Sequence, residues 1–199
     1  MSAVTAKDVK ALRDRTGAGF MDCRQALVEA DGDFEKAEEI LRVRGAAQAA
    51  KRGGRETAEG VVQSYIHAGN KIGVLVEVDC ETDFVARNER FIEFAWDLAL
   101  HVAAAVPIAV SDEDIPAEDR EREVRIATEQ AADRPENVRE RIVQGKVEKW
   151  LDDVVLLRQK HVNEDKHGGK TIEELRAALA SETGENVVIR RFARFAVGG

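Results

Sequence analysis

YIHAGNKIGVLVEVDCETDFVARNERF, residues 65–91, holds in one run the end of a strand, a turn, a returning strand and the start of a helix. Residues 61–67 read as extended chain, and Gly69-Asn70 is a two-residue hairpin signal because both residue types accept positive φ at little cost. Ile72, Val74, Val76 and Val78 then alternate along one face of the strand that returns. From Asn88, a good N-cap residue, Phe91, Phe94, Ala95, Leu98, Ala99 and Val102 recur at helical spacing. The helix they define is predicted to cover the buried face of the hairpin. Strands and helices segregated in this way point to an α+β fold with an antiparallel sheet, not to repeated βαβ units.

Towards the N-terminus, Thr5-x-x-Asp8 has the form of a capping box with Asp in place of Glu. Val9 and Leu12 share a face of the helix it opens, which ends near Gly17. A second helical run from Phe20 carries Met21, Ala26 and Leu27 to a stop at Asp31-Gly32, and Asp33 caps a third with Phe34, Ala37, Ile40 and Leu41. The first fifty residues therefore read as a three-helix unit. Lys51-Arg52-Gly53-Gly54-Arg55 suits a hinge better than the interior of an element, which divides the chain into 1–54 and 55–199.

Towards the C-terminus, a proline-bracketed loop from Pro107 to Pro116 leads into AEDREREVRIATEQAADR. Pro135 opens a further helical pattern through Val138, Ile142, Val147, Trp150, Leu151 and Val154, so an antiparallel helical hairpin is predicted. Thr171-x-x-Glu174 caps a last helix bearing Ile172, Leu175 and Leu179, which stops at Gly184. The chain closes in an alternating strand that holds Val187, Ile189, Phe192, Phe195 and Val197. Arg190, Arg191 and Arg194 are read as the polar edge of that strand, beside a packed face, and not as an RNA site.

The chain has 199 residues and 44% apolar content, enough for one substantial core or two small ones. Its 30 Lys and Arg against 38 Asp and Glu give a formal net charge of -8, which argues against a nucleic-acid footprint built on phosphate contacts. Cys23 and Cys80 are far apart and read as small buried hydrophobes in a reducing compartment. MSAVTAKDVKAL carries no basic leader with an apolar core, and no later segment reaches the roughly 18 apolar residues of a membrane span, so a cytoplasmic location without a membrane partner is expected. His67, His101, His161 and His167 are scattered; His161 and His167 beside Glu164 and Asp165 suggest a metal cluster only weakly, and polar surface is the preferred reading. Gly53-Gly54 lacks the Lys-Ser or Lys-Thr of a phosphate loop. No set of nucleophile, base and oxyanion donors emerges, and neither a chemical active site, a cofactor nor a metal is expected.

Two motifs carry more. TGAGFMDCRQAL at 16–27 and the CETDFVARN run within 65–91, followed by PENV at 135–138 and GENVVIRRFARFAVG at 184–198, make almost the whole chain resemble bacterial elongation factor Ts. That resemblance implies a guanine nucleotide exchange factor for the translational GTPase elongation factor Tu, with an N-terminal module of the ubiquitin-associated type and an α+β core that also carries dimerisation. It implies that Thr82, Asp83, Phe84 and Val85 enter the partner near the nucleotide's magnesium site. Phe20 and Met21 would form a second contact, with Phe20 standing where the family usually has Met. Only one core copy fits this length, as in the short form of the family, and a homodimer would replace the duplicated core of longer members. The 161–170 segment HVNEDKHGGK departs from the family pattern.

From pattern alone, Phe84 is expected to pack inward and Asp83 to bond nearby backbone, because most aromatic residues are core. The resemblance reverses that expectation. The rival function is a non-catalytic adaptor that uses the N-terminal helices to bind ubiquitin-like or peptide partners.

Overall fold

The structure, a computed structural model, describes residues 4–198, apart from the side chains at 46 and 48–51. In chain order its elements are α1 (Ala6–Thr16), α2 (Phe20–Glu29), α3 (Phe34–Arg52), β1 (Glu59–Ile66), β2 (Ile72–Cys80), α4 (Asp83–Ala86), α5 (Glu89–Ala105), α6 (Ala117–Gln130), α7 (Glu136–Val154), α8 (Glu164–His167), α9 (Ile172–Thr183) and β3 (Val188–Ala196). The three strands form one antiparallel sheet in the order β1-β2-β3, so the fold is α+β as expected. No helix among the described residues is long and apolar enough to cross a membrane.

The helix boundaries follow from local chemistry. Thr5 Oγ1 accepts the Asp8 N–H at 3.2 Å while Asp8 Oδ2 accepts the Thr5 N–H at 2.9 Å, which completes the predicted capping box. Gly17 ends α1 with φ of 71°. Asp33 Oδ1 accepts the N–H groups of Glu35 and Lys36 at 3.0 and 3.2 Å, the cap foreseen for α3. Caps of this kind each contribute about 1 kcal/mol. Asn88 Oδ1 accepts the Arg90 N–H at 2.8 Å and starts α5.

The chain packs as two compact units: Met1–Gln63 with Glu77–Ala95 and Glu174–Ile189, and Ser64–Val76 with Trp96–Glu173 and Arg190–Gly199. In the first, α1, α2 and α3 enclose a core of Val9, Leu12, Cys23, Ala26, Leu27, Ala30, Ala37 and Leu41, with Val4, Ala18, Phe34 and Ile40 against it. Arg52 Nη1 donates to Ala180 O at 3.1 Å, tying the end of α3 to α9. Gly60 passes so close to β2 that a Cβ there would stand 2.4 Å from Val78 O, which makes glycine necessary. The division expected at residue 54 falls inside this unit.

In the second unit, Tyr65 of β1 meets Trp96 of α5 edge to face at 5.8 Å, and Arg194 of β3 donates Nε to Ala103 O at 3.2 Å. α6 and α7 form the predicted hairpin, closed by Ala109, Ile115, Ala127, Val147, Leu151 and Val155. Arg158 fastens its base, bonding Asp112, Glu148 and Asp152 together.

Several expectations need correction. α3 runs through Arg52, so Lys51 and Arg52 are helical and the break begins at Gly53-Gly54. The hairpin closes at His67 and Ile72, whose N–H to O bond is 2.9 Å, so its connection is residues 68–71 and longer than a two-residue turn. Gly69 and Asn70 do take positive φ there, 89° and 56°. In β3, Phe195 and Val197 are exposed while Val187 and Ile189 are buried, so that strand has no single packed row. Two isolated bridges, Ala109 with Val155 and Lys160 with Thr171, lie outside any strand the periodicity could reveal.

Candidate functional site

The segment after β2 is built to place one ring in solvent. Cys80 is buried, and its thiol donates to Thr82 O at 3.2 Å where the chain leaves the strand. Thr82 is extended, with φ of -129° and ψ of 155°, and α4 follows as a single turn. Ala86 at its end is buried, and Asp83 and Val85 are half-buried. Phe84 is 84% exposed, more than any other large apolar side chain among the described residues. The expectation that it packs inward is therefore overturned. Asp83 pairs with Arg87 at 3.2 Å, one turn on, instead of capping neighbouring backbone. An exposed pair of this type contributes at most about 1 kcal/mol.

Two carboxylates hold the base of the segment. Glu185 accepts the N–H groups of Glu81 and Thr82 at 2.9 and 3.1 Å and the Thr82 hydroxyl at 2.6 Å. Glu81 in turn accepts the Asn186 N–H at 2.6 Å and Arg55 Nη1 at 3.2 Å. The Asn186 amide and the Arg55 guanidinium hold the Glu81 carboxyl below the usual carboxylate range. Asn186, itself buried, donates Nδ2 to Arg55 O at 3.1 Å. Sequence reasoning missed this arrangement. Glu185 and Asn186 stand in the motif at 184–198, but a contact across more than a hundred residues leaves no periodic trace.

The second predicted contact is also outward. Gly19 caps α2 without a side-chain bond, and Phe20 and Met21 are 43% and 65% exposed, whereas Cys23, Ala26 and Leu27 point into the three-helix core. Phe20 and Met21 are thus not part of that core.

The remaining reactive groups are quiet. Burial, and for Cys80 the nearby Glu185 carboxylate, pushes the Cys80 thiol up to about 11; burial also raises that of Cys23. His101 and His161 are buried, contrary to the expectation of polar surface. The ring of His161 lies 5.2 Å from that of His101 and 4.1 Å from that of His167. His101 Nδ1 accepts the Val162 N–H at 3.2 Å, which leaves its Nε2–H to donate to Gln159 Oε1 at 2.9 Å. His161 Nδ1 likewise accepts the Asn163 N–H at 3.0 Å and its Nε2–H donates to Asp97 O at 3.2 Å. Their nitrogens point to backbone and amide partners, and no group of three His, Cys, Asp or Glu among the described residues is arranged to hold a metal.

Comparison with known proteins bears on the whole chain. The family model described as elongation factor TS matches residues 8–168. The elongation factor Ts of Desulfotalea psychrophila is 55% identical over 199 residues, covering 98% of this chain and 99% of that protein. That of Solidesulfovibrio magneticus is 50% identical, covering 100% of this chain and 98% of its own length. That of Caldanaerobacter subterraneus is 49% identical over 197 residues, with 98% and 97% covered.

Proposed function

The chain belongs to the elongation factor Ts family of translation elongation factors, and from that premise we propose that it binds the GTPase elongation factor Tu and promotes release of GDP. The observation that carries this reading is Phe84, held 84% exposed on a single helical turn whose base is tied down. Leaving a phenylalanine in water forgoes roughly 2 to 3 kcal/mol of burial, which a partner's pocket recovers. Phe84 acts as a wedge in the G domain, and the carboxylate of Asp83 beside it disturbs the magnesium and phosphate site. Phe20 and Met21 supply the second hold.

The action is thermodynamic coupling, with no bond made or broken by the factor. A protein that binds the nucleotide-free GTPase more tightly than the GDP form weakens GDP binding by the same factor. The choice between GDP and GTP is then left to their concentrations and affinities. The reading includes an N-terminal module of the ubiquitin-associated type, a cytoplasmic site of action and a homodimer.

The test is release of fluorescent GDP from elongation factor Tu, measured by stopped flow with Phe84→Ala, alongside thermal melting of the same variant. Interface anchors of this kind commonly contribute 2 kcal/mol or more, that is, on the order of thirtyfold. A variant that melts like the parent and releases GDP slowly supports the wedge. Normal release from a folded variant removes Phe84 from the mechanism, and if the parent protein also leaves release unchanged, the adaptor reading takes its place.

A further inference from the structure

We propose that Glu185 is a positioning residue: with Glu81 gripping in return, its carboxylate fixes segment 82–85 in the one conformation that offers Phe84 to the GTPase. This rests on the wedge reading of Phe84 and adds to it the group that sets the wedge.

The need for such a group is physical. α4 has 4 residues, far short of the roughly 12 to 15 at which an isolated helix becomes even marginal in water. Thr82 occupies its N-cap, yet the Thr82 side chain makes no cap bond to the turn. Its hydroxyl is turned instead to Glu185 at 2.6 Å. The start of α4 is thus set from outside, by a residue two positions beyond the end of α9. The other end is held by Ala86, which is buried.

The contact is reciprocal. Glu185 takes two consecutive N–H groups and the hydroxyl from segment 81–82, and Glu81 takes the N–H of Asn186, so each loop caps the other. Arg55 closes the set by donating to Glu81 at 3.2 Å and accepting Asn186 Nδ2 at its carbonyl. Hydrogen bonds to ionised carboxylates are roughly twice as strong as neutral ones. Three segments remote in sequence, at 55, 81–82 and 185–186, thereby meet where the chain enters the turn that carries Phe84. A structural staple alone would explain the bonds but predicts no particular effect on nucleotide release.

The experiment compares Glu185→Ala, Glu185→Gln and Phe84→Ala. Each full-length variant is assayed for GDP release over a range of factor concentrations, for melting, and for hydrogen exchange at the Glu81 and Thr82 amides. Glu185→Ala removes all three acceptor contacts. Its saturating release rate is expected to fall on the order of tenfold, less than the roughly thirtyfold expected when the anchor itself is removed. The half-saturating concentration should move less, because Phe20 and Met21 still dock. Exchange at the two amides should quicken. Glu185→Gln keeps the shape, accepts the N–H groups through its oxygen and meets the Thr82 hydroxyl with its amide, so most of the rate should return. A folded Glu185→Ala protein with parental release, beside a slow Phe84→Ala protein, overturns the positioning role and leaves the wedge standing. Unchanged amide protection overturns it too. Parental release by Phe84→Ala fells the wedge itself and the positioning role with it.

Discussion

Asp83 and Phe84 are neighbours with different debts to the fold. Phe84 touches solvent over most of its surface, and Asp83 shares a solvent-screened pair with Arg87. Asp83→Asn keeps the shape and removes the charge, so its stability cost should stay below about 1 kcal/mol. Slower GDP release at an unchanged melting temperature is the expected result, and release at the parental rate would take the carboxylate out of the magnesium step. Gly60→Ala makes the opposite prediction, because its Cβ would press on Val78 O and the Asp79 backbone. Overpacking of that sort costs about 1 to 3 kcal/mol, which chemical denaturation will register as a lower midpoint at constant slope. Legibility at this scale was uneven. Val74, Val76, Val78, Phe91 and Leu98 are buried as their spacing required. Phe84 could not be placed by pattern, since an aromatic ring at an element junction reads as core whether or not a partner covers it. Glu185 was illegible, because its partners lie more than a hundred residues away.

Elements were easier to read, since capping and periodicity are local. α1, α2, α3, α5, the α6–α7 hairpin and α9 stand close to their predicted places, whereas α4 and α8, each 4 residues long, left no periodic signal. The three N-terminal helices enclose their own core, and α3 ends at Gly53-Gly54. We therefore expect fragment 55–199 to unfold cooperatively but to bind the GTPase weakly for want of Phe20 and Met21; calorimetry and titration against the GTPase will decide, and full-strength binding would make the module dispensable for docking. The histidines between α5 and α8 were misjudged because burial of a polar ring follows from tertiary contacts. Burial pushes His101 down to about 4, and His161 down as well. In each, the neutral ring is the folded form, so the unfolded chain binds more protons below its ordinary pKa of about 6.5. Stability is thus fully present above that value and is lost as pH falls through 6 towards 4. Denaturant titrations should show a decline on the order of 2 to 3 kcal/mol across that range, reduced in His101→Gln. A flat profile would mean that these rings titrate normally.

At the scale of the molecule, the sheet carries a group of exposed apolar side chains on adjacent strands. Val74 and Val76 are buried on one side of β2, and Leu75 between them is 47% exposed on the other. A Cβ on Gly73 would touch Ile66 Cδ1 at 3.1 Å, which puts Ile66 on the face of Leu75. The Val197 N–H to Lys71 O bond sets Phe195 across from Gly73 in the antiparallel register, and Ile66, Phe195 and Val197 are 61%, 69% and 76% exposed. Exposed rows of this kind on adjacent strands mark an interaction surface. We propose that a two-fold partner of the same sequence covers it with its own apolar rows, since an isologous contact needs only one self-complementary patch. Light scattering at micromolar concentration should therefore give about twice the mass of one chain. Phe195→Asp is the sharper trial, because it places a charge at the centre of the contact on both copies at once. It should yield a folded monomer with parental circular dichroism, since most of the Phe195 surface already lies in solvent. A parent protein that is strictly monomeric and fully active, or a Phe195→Asp protein that remains a dimer, would move the contact elsewhere or dispense with it.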